Sequence, residues 1–228
     1  MKPKNTSTGE PPAGPAAGRK PRADGVQSRQ AILLAAANLA TTRGLEGLSI
    51  GELAQHIGMS KSGLYAHFKS KEELELATIE TATEIFRREV LAPARESPAG
   101  LGRLRALAEA FLGHLERRVF PGGCFFVSVV TQLASSPGRP RDRAAGVLRE
   151  WEGQFVEALG EAVRAGELPG GADVGQLVFE VTAMLARANF AWVLTGDTRV
   201  LGQARFGIEH VLEHAAGLGR HRGSRSRR

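Results

Sequence analysis

The sequence predicts an all-α fold of about nine helices, and three observations carry that prediction. Apolar residues recur at three- and four-residue steps along nearly all of the chain between residues 26 and 217. Strand-like alternation is almost absent. The one β-branched run, Cys124–Val130, has no second run to pair with and is read as helix. The 228 residues are 42% apolar and 24% charged, the balance of a globular protein with a sizeable core. A single cysteine, Cys124, leaves no intramolecular disulfide and too few thiols for a cysteine-based zinc site. Residues 1–20 are rich in Pro, Gly and polar residues without an apolar run, so no secretory signal is expected. No continuous apolar run nears the roughly 20 residues of a membrane span, so the expectation is a cytoplasmic protein with no membrane partner.

The first helix is expected to start at Asp24 as N-cap, with Gln27 closing a capping box, and to stop at Gly44. It carries Ile32, Leu33, Ala36, Leu39 and Ala40. Ser49, with Glu52 three residues on, opens a second helix that reaches about His56, and Gly58 makes the turn. A third runs from Ser60 to about Phe68. A fourth is capped by Ser70 and ends near Leu91, ahead of Pro93. Further helices are expected over 101–119, 123–135 (apolar nearly all round) and 141–165. Asp173 caps an eighth helix to about Thr195, and Thr198 a ninth to about Ala216. Residues 1–25 and 218–228 read as disordered basic tails.

Charge is unevenly spread. The net charge is +6, yet residues 1–25 carry +3, residues 218–228 carry +5 in five arginines, residues 26–70 carry +2, and residues 71–217 carry −4. Basic ends and a basic N-terminal segment on an acidic body suit a polyanion; tails that only aid solubility have the same composition.

Leu48–Phe68 (LSIGELAQHIGMSKSGLYAHF) has the form of a helix-turn-helix. Ala54, Ile57, Leu64 and Phe68 are spaced to pack the two short helices together over the first. On the third helix Ser62, Gly63 and Ala66 point outward, a small face that lets the backbone lie deep in a groove. Lys61 and Tyr65 line one flank and Gly63 and His67 the other. Lysine, tyrosine and histidine all donate to phosphate, and Lys61 is long enough for a guanine edge. Lys71 stands in the first turn of the fourth helix, where the macrodipole disfavours a cation; a bound phosphate reverses that cost, and so do Glu72 and Glu73 beside it.

The segment AILLAAANLATTRGLEGLSIGELAQHIGMSKSGLYAHFKSKEELELAT resembles the DNA-binding domain of the TetR family of transcription regulators. The match rests on the Ala-rich first helix, Gly44 with Leu45 and Leu48, Leu53-Ala54, Gly58-Met59-Ser60, Leu64-Tyr65, His67-Phe68, and Lys71 with Leu74, and covers about a quarter of the chain. The resemblance implies a homodimeric helical regulator, most simply a repressor. It has a DNA-binding domain over residues 26–86 (motif 49–68) and an effector-binding and dimerisation domain over 87–217. DNA contacts fall on Ser49, Lys61, Ser62, Gly63, Tyr65, His67 and Lys71. One departure is that the second helix opens with Ile50 and Gly51, which offer no long polar side chain to a base. Shape and phosphate contacts then carry more of the specificity.

In the eighth helix Val174, Val178, Val181, Leu185, Ala188, Trp192 and Thr195 follow a 4,3 spacing, while Phe179, Phe190, Ala191 and Leu194 occupy other faces. In the ninth, Leu201, Ala204, Ile208, Val211 and Ala215 form a second seam. Two seams suit a four-helix bundle between two chains; both packing within one core is the other solution. Phe125, Gln132, Trp151 and Phe155 are the candidate lining of an effector pocket, against the plainer reading of core and solvent face. No cofactor or metal is expected: His210 and His214 lie one turn apart beside Glu209 and Glu213, on what reads as an exposed face. No catalytic constellation is evident, so an enzyme is not expected. A DNA-bridging protein that uses the same head without an effector is the alternative.

Overall fold

The computed structural model describes the backbone of residues 21–134 and 136–225, and the side chains of residues 28–134 and 136–217. Among the described residues all regular structure is helical: α1 (Pro21–Arg43), α2 (Ile50–His56), α3 (Lys61–Tyr65), α4 (Lys71–Phe86), α5 (Leu101–Glu116), α6 (Phe125–Leu133), α7 (Arg139–Arg164), α8 (Val174–Thr195) and α9 (Arg199–Arg225). α4 runs on through a π turn, Arg87–Leu91, into one more α turn, Ala92–Arg95. There Ala92 donates its N–H to the Arg87 carbonyl, five residues back, just ahead of Pro93, which has no N–H to give.

Local chemistry sets most of these boundaries. Gly44 and Gly58 take φ of +87° and +68°, open to glycine at little cost. Ser49 and Glu52 form a reciprocal capping box, and Ser60, Ser70 and Asp173 each cap with a side-chain oxygen. Elsewhere the ends differ from expectation. α1 begins at Pro21, so Asp24 lies inside it and is not its cap. α3 stops at Tyr65, where Ala66 and His67 form a turn rather than a further helical turn. The first N–H of α9 is taken by the Asp197 carboxylate at 2.9 Å, not by Thr198. That helix passes Ala216 and continues to Arg225, so much of the expected C-terminal tail is helical in backbone. The expectations for residues 1–20 and 226–228 lie outside the described residues.

One continuous core runs from Ile32 to Leu212. In the head, α1, α2 and α3 close around Leu45, Leu53, Leu64 and Phe68. α4 packs on α1 in front and α7 behind, and so joins the head to the body. Arg143 of α7 grips Glu80 of α4, which also holds that carboxyl below its usual range despite partial burial. In the body α5, α7 and α8 surround an aromatic cluster, and α9 lies along α8.

Val174–Thr195 departs from expectation: it is long and apolar enough, by length and composition, to cross a bilayer. A continuous run is not needed for that, because its few polar residues are scattered. The seam Val178, Val181, Leu185, Ala188 and Trp192 is buried against the chain's own core. The outer stripe is open: Phe179 is 68% exposed and Leu194 85%, Phe190 of the same helix is exposed too, and so is Phe206 of α9.

Candidate nucleic-acid interface and ligand cavity

Three anchors position the tip. Leu64 and Phe68 are buried at its base, Gly58 turns the chain into it, and Arg29 of α1 covers its end. The Arg29 guanidinium lies 4.3 Å from the centre of the Phe68 ring and donates to the His67 carbonyl at 3.4 Å. Arg29 was not singled out from the sequence; its position one helix turn before Leu33 on the core side was the available signal.

Lys61, Ser62, Tyr65 and Ala66 are exposed on the outer side of α3, with Gly63 and His67 half-buried between them. Tyr65 keeps 55% of its surface, unusual for the only tyrosine in the chain. A side chain at Gly51 would come within 2.9 Å of Lys61 Cε and 3.2 Å of its Nζ. Gly51 therefore gives Lys61 room to lie across the start of α2, which accounts for a small residue where a long polar one was sought. Ile50 is buried and faces the core.

Two expected contacts are already engaged within the chain. The Ser49 hydroxyl accepts the Glu52 N–H at 3.1 Å and lies 3.0 Å from the Glu52 carboxylate. Lys71 donates to the Glu46 carbonyl at 2.6 Å and pairs with Glu75 at 3.6 Å. The Glu46 carbonyl and the Glu75 carboxylate thus hold this cation directly, while Glu72 and Glu73 stand in the same first turn. Burial nonetheless raises the Glu75 carboxyl above its usual range, with Lys71 opposing.

The body holds a cavity of about 390 Å³ between α4, α5, α6, α7 and α8. Trp151 lines it, in edge contact with Phe86 at 5.1 Å and stacked on Phe111 at 5.9 Å. Of the other expected lining residues, Phe125 and Phe155 are buried behind the wall, and Gln132 points elsewhere. The Gln132 amide instead covers Gly44, where a side chain would meet its Oε1 at 2.0 Å. Spacing along α6 does not encode which neighbour Gln132 meets. Phe126, next to Phe125 in the sequence and an equal candidate from it, does line the cavity, as do Phe86, Phe111, Phe179, Phe190 and Glu152, which the sequence did not single out for it. Cys124 also lines it, and burial pushes its thiol up to about 11, which disfavours the thiolate.

A glycine pair ties this cavity to α1. Asn189, buried on α8 beside the cavity-lining Phe190, accepts the Cys124 N–H at 2.8 Å. Gly122 gives its N–H to Thr41 Oγ1 on α1 at 3.0 Å. A side chain at Gly122 would sit 2.1 Å from the Thr41 carbonyl oxygen, and one at Gly123 2.4 Å from Asn189 Oδ1. The loop is pressed between the cavity wall and the head, with no space for a Cβ on either side.

Comparison with known proteins places these features. Residues 32–78 match the family model "Bacterial regulatory proteins, tetR family", and residues 100–208 match "Tetracyclin repressor-like, C-terminal domain". The chain is 34% identical over 90 residues to the HTH-type transcriptional activator FasR of Mycolicibacterium smegmatis, spanning 40% of this chain and 41% of that one. It is 27% identical to the probable HTH-type transcriptional regulator ArpR of Pseudomonas putida over 191 residues, which is 79% of this chain and 87% of that one. A TetR transcriptional regulator from Chloroflexus aurantiacus superposes with a TM-score of 0.70 at 24% identity, covering 86% and 95% of the two chains. AibR, solved with isovaleryl coenzyme A and operator DNA, superposes with a TM-score of 0.60 at 25% identity, covering 72% and 84%.

Proposed function

The chain belongs to the TetR family of DNA-binding transcription regulators, and from that premise we propose that it is a cytoplasmic, homodimeric repressor released from its operator by a small molecule. The tip of α3 enters the major groove. Lys61, Ser62, Tyr65 and His67 supply donors to phosphates and base edges, and Gly63 allows close approach. Ser49 presents the capped start of α2, and Lys71 exchanges Glu46 for a phosphate. The open stripe of α8 with Phe206 of α9 is covered by the same stripe of a second copy. An isologous pairing buries both and sets two tips on successive grooves, roughly 34 Å apart.

The observation that carries the effector reading is the glycine link from cavity wall to α1. A ligand that moves α8 or Cys124 moves Gly122 against Thr41, and a dimer with altered tip spacing loses its operator. A DNA-bridging protein has no use for a 390 Å³ cavity joined to its head in this way. Selecting bound duplexes from a random pool, then screening small molecules for release, tests the reading. We expect one inverted-repeat sequence to bind far more tightly than random DNA, with release by a ligand of the cavity. Asn189→Ala should keep operator affinity and lose release. Equal affinity for all duplexes, or release that survives without Asn189, would overturn it.

A further inference from the structure

We propose that the cavity takes a hydrophobic cation, an aromatic or multi-ring molecule carrying one delocalised positive charge. The proposal rests on the cavity being the effector site and adds the ligand's chemistry. The inner wall is aromatic: Phe86, Phe111, Phe126 and Trp151. Among the described lining residues one side chain is charged, Glu152, and no lysine, arginine or histidine joins it. Its carboxylate has no ion pair or hydrogen bond among the described residues, although the neighbouring acid on α7, Glu150, is paired with Arg87 and Arg143. The Thr182 hydroxyl already donates to the Val178 carbonyl at 2.7 Å, so it is not held ready for an anion.

The electrostatics follow. An anionic ligand entering this space loses hydration, meets no cationic side chain among the described lining residues, and faces the Glu152 carboxylate. A neutral ligand gains no ion pair from that group. A cation whose charge is spread over rings is weakly hydrated, is attracted to aromatic faces and leaves Glu152 paired. The volume, about 390 Å³, lies in the range of sites for drug-sized molecules.

Tetraphenylphosphonium and tetraphenylborate test this directly, because they match in size and shape and differ in sign. Binding to the full-length protein is read by quenching of tryptophan fluorescence, since Trp151 is in the wall. The cation should bind at least about tenfold more tightly than the anion. Glu152→Gln, an exposed and conservative change, should bring the two within about threefold. Glu152→Lys should reverse the order, with helical content checked by circular dichroism. Equal or tighter binding of the borate to the unmodified protein, or a cation preference that survives Glu152→Gln, would overturn the proposal. Cation binding that leaves operator affinity unchanged would overturn the effector reading and leave the ligand class standing.

Discussion

In the head, Phe68 is enclosed on all sides, and Arg29 closes over its ring. In the body, Phe86, Phe111 and Trp151 meet edge to face or stacked, yet around a space of about 390 Å³. The same residue type therefore works in two ways. A closed core holds one geometry, which a reading head needs. A core built around a space can settle into more than one packing, which a responsive domain needs. The two are joined where Gly122 meets Thr41, and under the proposed function it is there that rearrangement behind turns the head in front.

Truncation in the closed region should show the largest effect. Phe68→Ala should destabilise the protein by about 3–5 kcal/mol in denaturant unfolding and abolish DNA binding with it. A loss under about 1 kcal/mol would mean the head core is as adaptable as the body.

The second contrast is electrostatic. His114, buried in the body against Phe86 and Phe120, has both ring nitrogens without a partner. Burial lowers its pKa to about 4, from an ordinary 6.5. The unfolded chain therefore binds the proton first on acidification. The stability at stake is complete above about pH 6.5 and is lost as pH falls toward about 4, by roughly 3 kcal/mol in all. His114→Leu should remove that slope. An unchanged acid profile in the variant would show that other groups set it.

The open stripe gives the next test. Leu194→Glu places a charge in the proposed dimer face, at its most exposed apolar residue on α8, and should weaken self-association by about a hundredfold, read by sedimentation at graded concentration. A dimer that tolerates this change pairs through another surface. Lys61→Ala should have the smallest effect: about tenfold weaker operator binding, with the slope of log affinity against log salt reduced by about 1. Loss confined to one base pair would mark Lys61 as a base reader.

The head was legible because its chemistry is local. Ser49 with Glu52, Gly58, Ser60, and Ser70 with Glu73 are capping and turning devices that act over a few residues, and they hold in the structure. The body was legible in element order but not in its lining. Phe125 and Phe155 share the helices of true lining residues and differ from them only by rotation, which a single chain of letters does not encode. Gln132 and Lys71 show the same limit, because their partners, Gly44 and Glu46, lie across turns or between domains. The outer stripe of α8 could be read as needing cover, although which seam faced inward became clear only when α5 and α7 were in place.

The wide turn between Phe86 and Ala92 has a consequence for the chain's length. It accommodates one residue more than an unbroken α-helix would hold over the same rise. Everything after it is offset by roughly 100° of rotation from the α4 register. Val90 and Ala94, within and just after the turn, are both buried. A chain shortened by one residue between Arg87 and Leu91 should therefore close the turn into a regular α-helix and leave Ala94 and the approach to α5 in place, because the residue removed is the one that the wide turn carries in excess.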